Sequence, residues 1–336
     1  MPDTPESYDV PPISVSPEAP KLKISDLPDV GEADVNGRPP SYTTAEDAEL
    51  FSLPPSDLDS LTPLQTYEMN ENFLSESVPD RPLIAPLAPM ATLRTEYEGG
   101  SQLFVKQIDW LTKYGYAGIR RTRGDGDCFY RSLAFAYIES ILLASDKALA
   151  VTSAISVLES TQSLLEQAGF DRMAFEDFYD CFVNLIKRVI TPDNAGQLLS
   201  SSMLLEEFNM PEVSNSVVVY LRLLTSAHIR ADPDSYIPFL LDPDTGELND
   251  LQQFCISQVE AMGKEADHVQ IIALSRVLKV NITVAYLDGR PHNSQEGKVD
   301  FLEFHNADIP GMNPVILLYR PGHYDILDKR NEEPLE

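Results

Sequence analysis

The sequence predicts an α+β protein in which a folded domain follows a long disordered N-terminal tail. Proline and acidic residues concentrate near the N-terminus, helical periodicity dominates the middle of the chain, and β-branched runs appear near the C-terminus. The 336 residues suffice for one large or two ordinary domains. We predict a tail over residues 1–90, one folded domain over 91–330 and a C-terminal tail over 331–336.

The predicted tail, residues 1–90, carries 16 of the 26 prolines and 17 acidic against 4 basic residues. Such a composition buries too little apolar surface to offset the entropy lost on ordering, which predicts disorder. Within it, "PPSY" has the pattern of a WW-domain ligand, with Pro39, Pro40 and Tyr42 as the candidate contacts. Proline-rich tails also produce such tetrapeptides by chance, so a WW-domain partner and a chance match both stay open.

Helical periodicity follows the tail and predicts a helix-rich body. One predicted helix stops at Gly115 and another, after the segment that contains Cys128, stops at Gly169, since glycine commonly ends a helix. Asp267 is the predicted N-cap of the last helix. The segments with a helical pattern are 101–114, 146–169, 175–190, 214–230, 248–262 and 267–280.

The hydrophobic period changes to that of strands after residue 280. The stretch "NITVAYLDG" alternates and ends in an Asp-Gly turn, whereas "NPVILLYRPGHYDIL" reads as a β-branched strand with a turn inside it. The predicted order is therefore a disordered tail, then helices, then strands at the C-terminal end, in one mixed domain without βαβ repeats.

Cys128 follows the run "RGDGD" and precedes the helix-patterned "FYRSLAFAYIES". At a helix N-terminus the macrodipole stabilises a thiolate, and unpaired N–H groups can hold an oxyanion. This placement makes Cys128 a candidate nucleophile. The alternative from the residues alone is a small core cysteine without a chemical role.

His323 and Asp325 lie two residues apart in a predicted strand, so both side chains project from the same face. A carboxylate beside an imidazole fixes its tautomer and stabilises the imidazolium, leaving the other ring nitrogen to take a thiol proton. An ordinary turn with a surface histidine is the alternative. Together with Cys128, however, the pair forms a coherent thiol-protease constellation.

Composition and spacing exclude other classes of protein. The net charge of −28 argues against nucleic-acid binding, and the apolar runs are shorter than the ~18 residues of a membrane span. The stretch "MPDTPESYDV" has neither the basic nor the apolar region of a secretory signal, so we expect none there, and three widely spaced cysteines predict no disulfide framework. Cys181 and Cys255 are predicted core thiols, and no histidine pair has the spacing of metal ligands. We expect a reduced cytoplasmic or nuclear protein without metal or cofactor.

Four blocks of sequence resemble the otubain branch of the OTU deubiquitinases, over roughly residues 91–328. In chain order they are "RRTRGDGDCFYRSLAFAYIE", "VVVYLRLLTSAHI", "FCISQVEAMGKEADHVQIIALSRVL" and "VILLYRPGHYDIL". The resemblance implies a papain-like OTU fold, with a small central β-sheet between helical layers, and an OTU catalytic domain over residues 91–330. It also implies hydrolysis of the isopeptide bond between the C-terminal glycine of ubiquitin and a lysine.

The resemblance assigns roles to four residues. Cys128 matches the nucleophile, His323 the general base, Asp325 the residue that orients it, and Asp125 the position whose backbone N–H joins that of Cys128 in the oxyanion hole. The residue before the nucleophile is often Asn in otubains and is Asp127 here. A carboxylate that pointed inward would raise the pKa of the thiol, whereas one directed to solvent would have little effect.

The expected partners are ubiquitin and polyubiquitin chains. Some otubains also restrain ubiquitin-conjugating enzymes without catalysis. The alternative function is therefore a non-catalytic binder or regulator of ubiquitin or of ubiquitin-conjugating enzymes. An altered cysteine, histidine or aspartate would have favoured that alternative, and all three are present.

Overall fold

A computed structural model of the chain describes residues 81–98, 102–240, 250–289, 297–306 and 313–329. The "PPSY" segment and the predicted C-terminal tail lie outside these ranges, as do residues 1–80 of the predicted N-terminal tail. Residues 81–90, at the end of that predicted tail, pack against the domain, and Ile84 and Met90 are buried in its core.

The described strands form one six-stranded sheet in the order β1-β2-β6-β5-β3-β4. Neighbouring strands are antiparallel except for β3 and β5, which are parallel. The strands are β1 Ala88–Pro89, β2 Tyr116–Arg120, β3 Ile282–Tyr286, β4 Asp300–Phe304, β5 Val315–Arg320 and β6 His323–Lys329.

Helices cover both faces of this sheet. Helices α1 and α2 pack with β2 and one face of the sheet, and the opposite face contacts α3 and the larger helical layer behind it. This arrangement confirms the predicted α+β fold with a central sheet between helical layers. The helices are α1 Met90–Tyr97, α2 Gln102–Lys113, α3 Cys128–Leu142, α4 Lys147–Gln167, α5 Arg172–Lys187, α6 Ser201–Phe208, α7 Pro211–Ala231, α8 Leu251–Phe254 and α9 His268–Leu278.

The helix boundaries follow the local signals in the sequence. Asp146 and Asp171 accept backbone N–H groups in the first turns of α4 and α5, and Asp267 forms a capping box with Gln270 at the start of α9. The predicted helix over 248–262 is only partly correct. Its α-helical part, α8, has four residues and continues as a π-helical segment, Cys255–Glu260.

The predicted order of helices first and strands last is wrong for β1 and β2, which precede the main helical body. Strand β2 is buried at four of its five residues and shows no apolar–polar alternation, so it lacks the usual signal of a strand. It pairs with β6, the strand that carries His323 and Asp325.

Helix α4 is long and apolar enough to cross a membrane by length and composition alone. Ala150, Ala154, Leu158 and Leu165 of this helix are buried, whereas Leu149 is exposed. A core helix passes the same test, so one such helix is weak evidence for a membrane span.

Candidate active site

Cys128 is the first residue of α3, and its side chain is buried. The N–H groups of a first helical turn have no acceptor within the helix, and the helix dipole places partial positive charge there. Both features suit a site where negative charge develops during a reaction. The predicted position of Cys128 at a helix N-terminus is confirmed.

His323 opens β6, where its ring is hydrogen-bonded to Asp325 and interacts with Cys128. Its Nε2 lies 2.9 Å from Oδ1 of Asp325. Its Nδ1 faces the loop before α3, because a Cβ built on Gly124 would lie 3.5 Å from that atom. Burial disfavours the imidazolium and lowers the pKa of His323. The hydrogen bonds to Asp325 and Cys128 outweigh burial and raise that pKa to about 9.

The Asp325 carboxylate is fully buried and is held from three directions. Oδ1 also accepts the N–H of Thr122 at 3.0 Å, and Oδ2 accepts Nη2 of Arg320 at 2.6 Å. Burial raises the pKa of Asp325, but the hydrogen bond from His323 and the charge of Arg320 hold it below its usual value. Asp325 is therefore anionic at neutral pH and fixes the ring of His323.

Asp125 lies in the loop that leads into α3, where its carboxylate organises the backbone. Oδ1 accepts the N–H of Asp127 at 3.0 Å, and both carboxylate oxygens accept Nη1 of Arg131, at 2.8 and 2.7 Å. Arg131 is buried on α3 and also donates to Ser214 of α7. The side chain of Asp125 thus holds the loop in shape, while the role that the resemblance gives this position belongs to its backbone N–H.

Asp127 points into the protein, away from solvent, and pairs with a buried arginine. Its Oδ1 accepts Nε of Arg222 at 2.8 Å, a second bond from Nη2 of Arg222, and the N–H of Gly263 at 3.1 Å. Burial raises the pKa of Asp127, and the charge of Arg222 opposes that effect. Of the two orientations left open by the sequence, Asp127 therefore takes the inward one, where Arg222 pairs with its carboxylate.

Arg222 was not identified from the sequence. It is fully buried on α7 and also donates to the carbonyls of Gly126, Val259 and Lys264. The available signal was an arginine inside the apolar segment "VVVYLRLLTSAHI", because a charge in a buried helix needs a partner. That signal predicts a partner without saying which residue supplies it.

The two other described cysteines differ from Cys128. Cys255 is buried in a cluster with Phe254 and Val259, as predicted for a core thiol, whereas Cys181 is only partly buried. Burial raises the pKa of both thiols. Within the described ranges no group of three or more His, Cys, Asp or Glu residues could hold a metal ion.

The structure brings all four predicted site residues to one place, at the junction of β6 and the N-terminus of α3. A thiol at a helix start, an imidazole bonded to it and a buried carboxylate behind the imidazole are the parts of a cysteine peptidase site. Such an arrangement can attack a carbonyl carbon, protonate a leaving amine and activate water.

Comparisons with known proteins agree with this class. The chain matches the family described as Peptidase C65 Otubain over residues 76–329. It is 36% identical over 270 residues to the ovarian tumor domain-containing deubiquitinating enzyme 1 of Arabidopsis thaliana, covering 78% of this chain and 86% of the relative. It is also 36% identical over 260 residues to ubiquitin thioesterase OTUB1 of Homo sapiens, covering 77% of this chain and 88% of the relative.

Solved structures show the same fold. The structure of h/ceOTUB1 with ubiquitin aldehyde and UBCH5B~Ub matches with a TM-score of 0.67 at 28% identity, covering 79% of this chain and 97% of the solved one. This chain belongs to the otubain family of peptidases.

Proposed function

We propose that this otubain hydrolyses the isopeptide bond between the C-terminal glycine of ubiquitin and a lysine, using Cys128, His323 and Asp325. Its family and its curated relatives, named ubiquitin thioesterases and deubiquitinating enzymes, make it a cysteine-type deubiquitinase. The observation that carries the assignment of residues is the position of His323, which is hydrogen-bonded to Asp325 through Nε2 and turns Nδ1 to the loop that leads into Cys128.

The first chemical step is attack of the Cys128 thiolate on the carbonyl carbon of the terminal glycine. Negative charge then develops on the carbonyl oxygen, where the backbone N–H groups of Cys128 and Asp125 are the proposed donors. As the C–N bond breaks, the His323 imidazolium gives its proton to the departing lysine amine. The products are a free lysine side chain and a thioester between ubiquitin and Cys128.

The second step is hydrolysis of this thioester. Neutral His323 takes a proton from water, and the resulting hydroxide attacks the thioester carbonyl. The C–S bond breaks, which releases the carboxylic acid of ubiquitin and restores the thiolate–imidazolium pair; the acid then loses its proton to solvent. Asp325 stays ionised throughout and stabilises the imidazolium each time it forms.

The test uses ubiquitin with a thiol-reactive group at its C-terminus. Wild-type protein should form a covalent adduct and cleave at least one member of a panel of di-ubiquitins, and Cys128→Ala should do neither. Cys181→Ala is the matched control, since it removes a partly exposed thiol far from His323 in sequence and fold. An adduct that persists in Cys128→Ala and disappears in Cys181→Ala would overturn the assignment.

A second proposal is that the protein also binds ubiquitin-conjugating enzymes. It is supported by three solved complexes of similar chains, at 27–28% identity, that contain UBCH5B~Ub or UBC13~Ub. Cys128→Ala should then retain such a conjugate in a pull-down and slow its discharge to lysine. Unchanged discharge and no retention would contradict it.

The proposed WW-domain partner depends on Pro39, Pro40 and Tyr42 alone. A hydrogen-bonding aromatic ring at the last position is what a WW groove receives, after a polyproline turn. Tyr42→Ala should therefore abolish capture by immobilised WW domains, and undiminished capture would contradict the proposal.

A further inference from the structure

The carboxylate of Asp325 faces two arginines on the side opposite His323. Arg320 donates to Oδ2 at 2.6 Å, and Nη1 of Arg121 lies 3.9 Å from the same oxygen. Both guanidinium groups are mostly buried, so water screens them only weakly. The positive charge of each arginine offsets part of the negative charge of Asp325, which would otherwise stabilise the imidazolium of His323. By themselves, the two arginines oppose the charged form of the catalytic histidine.

Glu96 of α1 binds both of these arginines. Its Oε1 accepts Nη2 of Arg121, and its Oε2 lies 4.0 Å from Nη1 of Arg320. The side chain of Glu96 is about half exposed, whereas that of Asp325 is fully buried. Glu96 therefore supplies a second carboxylate to the two arginines. In each guanidinium group it meets the Nη atom that does not face Asp325. Asp125, Asp127 and the Cys128 loop take no part in these contacts.

We propose that Glu96 is a positioning residue for the triad: by pairing with Arg121 and Arg320 it limits how far they neutralise Asp325, and so sustains the His323 imidazolium. This inference rests on the proposed function, because it concerns the same histidine. It places a determinant of the triad on the short helix α1, which comes directly after β1 and outside the sequence blocks that carry the triad.

Other charged or titratable groups also lie near His323 and Arg320. Cys128 of α3 is hydrogen-bonded to His323, and Tyr97 of α1 is hydrogen-bonded to Arg320. Glu265, in the loop before α9, interacts with His323 through its charge, and Asp267 interacts with Glu265. Because none of these four groups is substituted in the Glu96 and Arg121 variants, shifts between these variants report the network of Glu96, Arg121 and Arg320.

The experiment measures the pKa of the His323 ring by NMR titration in the full chain, with His323→Gln to assign its signal. Glu96→Gln should lower that pKa by about 0.3–0.5 of a unit, because two less compensated arginines weaken the field of Asp325. Arg121→Gln should raise it by a similar amount, since one opposing cation is removed. The alkaline limb of kcat/KM, measured with a fluorogenic ubiquitin amide, should move in the same two directions.

Glu98→Gln is the matched control. Glu98 is the C-cap residue of α1, and its exposed carboxylate pairs with Arg94 four residues earlier. It should leave the His323 pKa within about 0.1 of a unit of wild type, as expected for a water-screened pair. A loss of local structure would move Glu96→Gln and Arg121→Gln in the same direction, whereas a charge effect moves them in opposite directions.

An unchanged His323 pKa in Glu96→Gln, or shifts of the same sign in Glu96→Gln and Arg121→Gln, would overturn the inference. The NMR readout requires no turnover. Opposite shifts in a protein that cleaves no ubiquitin bond would therefore uphold the charge network and contradict the proposed function. Cleavage with an unchanged pKa would do the reverse.

Discussion

Gly126 is the position where a single added methyl group should be most damaging to the loop before Cys128. Its φ is +77°, and a Cβ there would lie 2.0 Å from the carbonyl oxygen of Gly263. Gly196 has the same φ of +77° but has no atom within 4 Å of its Cβ position. Gly126→Ala and Gly196→Ala therefore share the cost of left-handed backbone and differ in the close approach.

The magnitude follows from what holds the two segments together. Left-handed backbone costs an L-residue about 1–2 kcal/mol, which both variants should lose. To admit the methyl group, the loop must also withdraw from Gly263, which breaks the 3.1 Å bond from its N–H to Asp127 and the 3.1 Å bond from Arg222 to the Gly126 carbonyl. Hydrogen bonds to charged groups contribute about 1.5–3 kcal/mol each, so Gly126→Ala should lose about 3 kcal/mol or more beyond Gly196→Ala.

Urea unfolding of the two variants and wild type measures the difference directly. The same variants should also differ in activity. In Gly126→Ala kcat/KM should fall, because the proposed oxyanion donors move, whereas in Gly196→Ala it should stay unchanged. Losses of stability within about 0.5 kcal/mol of each other, the range of ordinary surface substitutions, would refute the close approach.

Three further predictions concern the buried charges. Arg222→Met should cost about 3–5 kcal/mol in urea unfolding by leaving Asp127 buried and unpaired, and adding Asp127→Asn should recover part of that loss; strictly additive effects would contradict the pairing. Because His323 has a pKa of about 9 and acts first as an imidazolium, kcat/KM should fall as pH rises through about 9, whereas a fall near the ordinary value of about 6.5 would contradict it. Cys128→Ala removes a hydrogen bond and a charge that favour the imidazolium, so NMR titration should show a lower His323 pKa; no change would show that the two groups do not interact.

Several parts of the site could be predicted from short stretches of sequence. A helix beginning behind "RGDGDC" follows from turn-forming residues succeeded by an apolar helical pattern, and it places Cys128 at the helix start. The shared face of His323 and Asp325 follows from the period of a strand, and the bond between them is 2.9 Å. The capping box at Asp267 is similarly local.

Other parts were mistaken or missed because their determinants are distant in the chain. Strand β2 has no alternation of its own and is defined by pairing with β6. The sequence left the orientation of Asp127 open, because its partner Arg222 lies 95 residues away on α7. The contact between Thr122 and Asp325 spans 203 residues.

The sequence by itself determined on which elements the candidate catalytic residues lie, because helix starts and strand faces depend on neighbours a few positions apart. Only the tertiary structure decided which buried charge meets which partner. Arg222 reaches Asp127, and Glu96 reaches Arg121 and Arg320, because α7 and α1 pack where they do. A buried ion needs a counter-ion wherever the fold brings one, and no local pattern records which residue that is.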